Sequence, residues 1–260
     1  VILGEYPQSI VKGEEMVSHL NNMAGTLPTK DNAYNWKSYQ YYIEKEQLNF
    51  MWYIDISVGN SKYRGVYFTT YRPGHTTLSG TEGSSNQDNN EFYKNTIYWF
   101  KYEPISWTIL EKNDNKALIV CDFIIDGQQY DYENSEMRNN YSESTIRRWL
   151  NETFYNTAFS SAEKTLILPM TIDNSVESTG YSSNAYACED TTDNVFLLSY
   201  RETMIYLKTL NERKRKNTDY ARSQGVITNE DSDKGNGKWN LRSPFCGNKY
   251  SVRYVNSEGT

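Results

Sequence analysis

A serine or cysteine nucleophile works beside a positioned base, usually histidine, and the chain offers two, His19 and His75. His19 falls in a helix-like stretch, where an ordinary partly buried histidine is expected. His75 follows Pro73-Gly74 and reads as a turn residue. There is no Gly-x-Ser-x-Gly, no phosphate-binding glycine loop and no His/Cys group at zinc spacing. Carboxylates lie close in sequence at Asp131 and Glu133 and at Glu189 and Asp190, the residue type that acid–base hydrolysis needs. Nothing around them marks a glycosidase, so solvated loop charge is the simpler role. Asp88, Glu91, Asp190 and Asp193 carry the oxygen ligands that Ca²⁺ takes, but their spacing matches no calcium loop. No enzyme activity and no cofactor are expected.

The densest chemistry is for binding. Trp239, Asn240, Arg242, Phe245, Asn248, Lys249, Tyr250, Arg253 and Tyr254 fall in one short span. Aromatic and arginine side chains are the usual interface anchors, and asparagine adds adaptable hydrogen bonding. Within this span Trp239 and Leu241 are expected to face the core, with Arg242 a structural donor near Ser243-Pro244. Phe245, Asn248, Tyr250 and Tyr254 are expected to point outward. The three cysteines are too few for a disulfide scaffold. Cys121 sits in the apolar run Ala117–Cys121 and reads as a core thiol; Cys188 and Cys246 are free to pair or not.

The elements that must hold this span are legible in outline. A helix is predicted over Glu14–Met23, with Gly25 as its stop. Tyr34–Tyr71 reads as strand-rich, and the polar stretch from His75 to Glu91 as a long loop or boundary. Two strands are predicted either side of Pro104, followed by a hairpin turn at Asn113-Asp114-Asn115. Ser144–Phe154 carries a helical face. Ser160–Glu163 and Ser199–Glu202 are capping-box patterns, the first opening a helix that ends near Pro169. Thr218–Ser223 is a short helix stopped by Gly225, and the tail returns to strands. Strands at both ends with helices between them give an α+β fold. The reading divides the chain into an N-terminal strand-rich part, 1–95, packed on a core of 96–260.

With 27 Lys and Arg against 33 Asp and Glu, the net charge of −6 argues against nucleic acid as the partner. The basic run Arg213–Lys216 has no aromatic residue interleaved and reads as a solvated stretch. No apolar run is long enough to cross a bilayer, so membrane insertion is not expected. Tyrosine is abundant, 23 residues, in a chain of mean hydropathy −0.79; that combination suits a recognising surface, although a β-rich core also favours aromatics. The absence of a starting Met and signal peptide at Val1–Glu5 reads as processing or trimming, compatible with secretion.

Several segments together resemble a family of bacterial domains of unknown function found in secreted or surface proteins. They are Gly4–Ser9, Trp99–Trp107, Ser144–Asn151, Phe154–Phe159, Asp193–Ser199, Thr218–Ala221 and Leu241–Pro244. That family is similar to the C-type-lectin-like fold shared with formylglycine-generating enzymes and with the variable receptors of diversity-generating retroelements. The resemblance implies an α+β, C-type-lectin-like scaffold with an N-terminal extension, whose C-terminal segment presents an exposed face. It implies a non-catalytic module that binds a glycan or protein, with diversification of Asn240 and Phe245–Tyr254 by a retroelement as a sharper variant. In the oxidases a similar stretch carries two copper-binding cysteines; here Cys246 matches the first, and Ser251 stands at the second, where a hydroxyl is a poor Cu(I) ligand. An oxidase of that type or a carboxylate hydrolase is therefore the alternative. Two departures stand out. Asn240 replaces the second Trp of the family's Trp-Trp-Leu-Arg-Ser-Pro, and the sequence stops at Val255–Thr260, before the family's closing strand.

Overall fold

The computed structural model describes residues 1–43, 46–72, 86–133, 136–226 and 235–260. His75 and most of the polar stretch around it lie outside the described residues. In chain order come β1 (Ile2–Ile10), α1 (Glu14–Ala24), β2 (Lys37–Ser38), β3 (Tyr42–Ile43), β4 (Glu46–Gln47), β5 (Met51–Val58) and β6 (Ser61–Phe68). A helical turn, α2 (Asn86–Asn89), precedes β7 (Tyr98–Asn113), β8 (Lys116–Cys121) and β9 (Phe123–Ile124). Next, α3 (Thr145–Trp149), a π-helical turn at Leu150–Phe154 and α4 (Tyr155–Ala158) run on without a break, and α5 (Ser161–Lys164) follows. Then come β10 (Met170–Ile172), a 3-10 turn at Glu177–Thr179, β11 (Thr191–Asp193), α6 (Tyr200–Tyr206) and α7 (Leu210–Arg213). The chain closes with β12 (Lys216–Asn217), α8 (Asp219–Ser223), β13 (Trp239–Pro244) and β14 (Val252–Val255). The fold is α+β, as expected.

The main sheet runs β1-β7-β6-β5-β2, with β8 also on β7, and every pairing in it is antiparallel. Its strands alternate between two cores because successive strand residues face opposite sides. Met51, Val66, Phe68 and Phe100 enter a core with Tyr6, Ile146, Leu150, Phe154 and Tyr220. Their neighbours Trp52, Tyr67 and Trp99 pack with Leu20 and Ala24 of α1 on the other side. Strands from both sides of residue 95 share this sheet, since β6 pairs with β7 from Tyr63 with Lys101 to Val66 with Tyr98.

The two strands predicted around Pro104 are one. On one edge β7 pairs with β6 up to Lys101 and with β8 from Trp107. Pro104 occupies the gap between these partners, where a missing N–H costs the ladder nothing. The hairpin turn is where the sequence put it: Asn113 pairs with Lys116, and Asp114 takes a φ of 31°. α1 ends at Ala24 with Gly25 beyond it. The Ser160–Glu163 capping box forms, but its helix stops at Lys164, well short of Pro169. Glu163 does more than cap: its carboxylate also accepts from the Gly4 amide at 2.8 Å, tying α5 to β1.

Buried charged side chains are ion-paired or hydrogen-bonded, as their desolvation cost requires. Arg64 grips Asp55 through Nε and Nη2, both at 2.8 Å, and lies over the Tyr53 ring. The Tyr39 and Tyr220 hydroxyls meet at 2.8 Å beside it, and the Tyr6 hydroxyl donates to Asp126 at 2.6 Å. The basic run is not a solvated stretch, contrary to expectation. Arg213 donates to the carbonyls of Leu207, Lys208 and Gly259, and Arg215 to those of Cys121, Glu212 and Lys214. Guanidinium groups serve here as carbonyl clamps across chain segments. Among the described residues, no helix is long and apolar enough to cross a membrane.

Candidate functional site

β13 and β14 form an antiparallel hairpin with Asn240 opposite Tyr254 and Pro244 opposite Val252. Leu241 and Val255 fasten it to Leu198 and Leu207 in a third small core. Leu241 faces this core, as expected, and the half-buried Trp239 packs against it and donates its indole N–H to the Arg213 carbonyl at 3.0 Å.

Arg242 must be removed from the ligand-binding set. It is 2% exposed and makes five hydrogen bonds, to Asn174 Oδ1, the Leu197 and Asp173 carbonyls and both oxygens of Glu202. A guanidinium has five N–H donors, so none is left for a guest. Its partner Glu202 is also the capping-box glutamate of α6 and accepts from the Ser199 amide at 2.7 Å. One carboxylate thus joins helix α6 to the hairpin.

The turn between the strands is held from outside. Phe245 N–H donates to the Ser251 carbonyl at 2.9 Å. Asn139 Nδ2 donates to the carbonyls of Asn248 and Ser251, Arg138 N–H to that of Lys249, and Lys249 pairs with Glu136 at 3.2 Å. The Asn248 side chain accepts from the Tyr250 amide and is half-buried, so it shapes the turn rather than pointing outward as expected. Asn240 is half-buried too. What the hairpin does present is a set of rings: Phe245 is 40% exposed, Tyr250 58% and Tyr254 49%. Lys238 lies 3.5 Å from the centroid of Tyr254, and Lys249 lies 5.3 Å from that of Tyr250.

Arg253 is half-buried and lies against two rings. Its guanidinium carbon is 3.3 Å from the Tyr200 centroid and 4.9 Å from that of Tyr181, and Nη1 donates to the Thr179 carbonyl at 3.0 Å. Tyr181 meets Phe245 edge-on at 6.4 Å. Burial pushes the Tyr181 phenol up, the Arg253 charge pulls it down, and a hydrogen bond with Cys246 pushes it up again. Residues 181 and 200 were missed from the sequence because each sits in a loop or helix start far from the hairpin, with no periodic signal. Tyr181 and Tyr200 flank Arg253 and Phe245 meets Tyr181, while Tyr250 and Tyr254 stand exposed elsewhere on the hairpin, each beside a lysine; this ring-and-cation surface is the ledge.

A family profile described as a domain of unknown function (DUF6273) matches residues 114–260. The chain belongs to the DUF6273 family. No curated protein and no solved structure matches the chain. The DUF6273 stretch opens in the β7–β8 turn and contains every residue of the ledge, whereas β1 to β6 precede it.

The other candidates are not brought together. Cys121, Cys188 and Cys246 are all free, with Cys246 exposed. His19 is exposed on α1 rather than partly buried. Glu133 pairs with Arg148 at 2.5 Å, while Asp131 accepts from the Glu133 amide. Asp190 accepts from the Asn174 amide, Asp193 pairs with Arg147 at 2.7 Å, and Asp88 accepts from the Tyr71 hydroxyl. Each of these five carboxylates thus has a hydrogen-bond or ion-pair partner. No group of three or more His, Cys, Asp or Glu able to hold a metal ion lies among the described residues.

Proposed function

We propose that the chain is a non-catalytic recognition module of a bacterial secreted or surface protein, engaging a protein or glycan partner through its C-terminal hairpin. Its scaffold is proposed to be C-type-lectin-like, on the strength of the resemblance carried by segments such as Trp99–Trp107 and Leu241–Pro244. The observation that carries the reading is the exposure of Phe245 and Tyr250 on the pinned turn and of Tyr254 on the adjoining strand β14. Leaving rings exposed forgoes burial worth about 25 cal/mol for each Å², and a turn tied down by Asn139 and Arg138 loses little freedom when a partner replaces that water. The ledge is lined by rings and cations, the residues that anchor interfaces. A protein surface suits it better than a single sugar, because the rings spread along the hairpin.

The test is a screen of surface proteins and a glycan array with the wild type and the Tyr250→Ala/Tyr254→Ala double variant. Both rings are exposed and neither belongs to a hydrophobic cluster among the described residues, so the variant should melt with the wild type. Binding should weaken by about tenfold or more if these rings are anchors. Unchanged binding by the double variant would rule the ledge out. The retroelement variant has a genomic test: a reverse transcriptase beside the gene with a near-copy of the segment differing at adenines.

A further inference from the structure

One group on the hairpin keeps unspent capacity for a charged ligand. Arg64, Arg147 and Arg242 each hold a carboxylate, and Arg213 and Arg215 each clamp three carbonyls. Arg253 makes one hydrogen bond, from Nη1 to the Thr179 carbonyl, and pairs with no carboxylate among the described residues. A guanidinium carries five N–H donors, so most of those on Arg253 stay open. The rings decide where they can be used. With the Tyr200 centroid 3.3 Å from the guanidinium carbon and that of Tyr181 at 4.9 Å, no guest fits between Tyr200 and the cation, and approach is left to the N–H edge.

Resting on the reading of the hairpin as a recognition surface, we infer that Arg253 receives an aspartate or glutamate side chain from an acidic, aromatic-containing segment of a protein partner. A carboxylate matches the planar fork of a guanidinium and takes two parallel bonds from it. The fork is already held by the Thr179 carbonyl and two rings, so little side-chain freedom is lost on binding. Phe245 is 40% exposed and meets Tyr181 edge-on, so a ring next to the acid finds a ring to pack on. A sugar acid fits less well. Beside the guanidinium stand two phenols and a phenylalanine, not the amides and carboxylates that match an array of hydroxyls. The chain's net charge of −6 gives no long-range attraction for an acidic partner, so recognition depends on this local cation.

The inference is tested by two-dimensional NMR of the full chain, which reads the Arg253 Nε–H directly. The titrants are the peptide acetyl-Gly-Asp-Phe-Gly-amide, its Asn counterpart, acetate and methyl β-glucuronide. The Asp peptide should shift the Arg253 resonance with an affinity on the order of 1 mM, the scale of one anchored pair. The Asn peptide should bind about tenfold more weakly, as loss of a charge-assisted hydrogen bond implies. Arg253→Lys keeps the charge but loses the fork, and should weaken the Asp peptide about tenfold. Should that variant fail to fold, the acid and amide peptides on the wild type make the same test. A silent Arg253 resonance, equal binding of the two peptides, or acetate or the glucuronide binding as tightly as the Asp peptide would each overturn the inference. The two readings separate in the partner screen. A protein partner lost with Tyr250→Ala/Tyr254→Ala but indifferent to Arg253→Lys would sink this inference and leave the hairpin reading standing.

Discussion

At the scale of single residues, the decisive distinction is between a side chain that is chemically suited to a ligand and one whose capacity is already spent. Arg242 and Arg253 are eleven positions apart on one hairpin, and both are interface-type residues. Arg242 has every donor committed in the interior, whereas Arg253 keeps a stacked, half-exposed guanidinium. Arg242→Ala would strand Glu202 and should cost about 3–5 kcal/mol of stability, the usual loss when one partner of a buried pair is removed. Urea unfolding measures it, and a loss within experimental scatter would mean that the pair is not structural. Sequence alone could suggest Arg242 as a structural donor but could not settle its role, because the partners Asn174, Leu197 and Glu202 become visible only once the loops have folded together.

At the scale of elements, local signals were read well and long-range ones poorly. The capping boxes at Ser160 and Ser199 formed because they need only four consecutive residues. The fusion of two strands into β7 depends on how β6 and β8 share one edge, and the π-turn on how Leu150 and Phe154 seat in the core; neither leaves a local mark. The turn after residues 177–179 matters most for the ledge. Gly180 has a φ of 74°, and a Cβ there would lie 2.2 Å from Cδ1 of Tyr200. Gly180→Ala should therefore displace the ring that stacks on Arg253, adding a clash of about 1–3 kcal/mol to the backbone penalty. Gly59, at the β5–β6 hairpin tip with a φ of 57°, has open space where its Cβ would be. Gly59→Ala should cost only the left-handed penalty, about 1–2 kcal/mol. Thermal melts of the two variants provide the comparison, and equal losses would show that Gly180 is not a packing requirement.

At the scale of the whole molecule, the α+β class was legible from the order of strand-like and helix-like runs, but the way the halves interlock was not. β1 reaches across to β7, and its Tyr6 meets Asp126, which is 120 residues away. Asp126 therefore sits where the N-terminal sheet and the DUF6273 stretch join. Burial raises its pKa above the ordinary carboxylate value, and this outweighs the Tyr6 hydrogen bond and the pull of Arg72, the Gly127 amide and Arg64. A raised folded pKa means that the proton is held more tightly in the folded chain than in the unfolded one, where Asp titrates near about 3.9. Its stabilising share is complete below that pH and is lost as pH rises through the folded pKa. Asp55, paired with Arg64, is shifted down and acts in the opposite sense, so the raw stability curve mixes the two. Asp126→Asn isolates one of them, because it keeps the shape and removes the titration. Urea unfolding of both proteins between about pH 4 and pH 8 should show the wild type losing ground to the variant as pH rises and then running parallel. A constant difference, or one that grows in the wild type's favour, would mean that Asp126 is ionised at no cost and that the junction is wetter than its packing indicates.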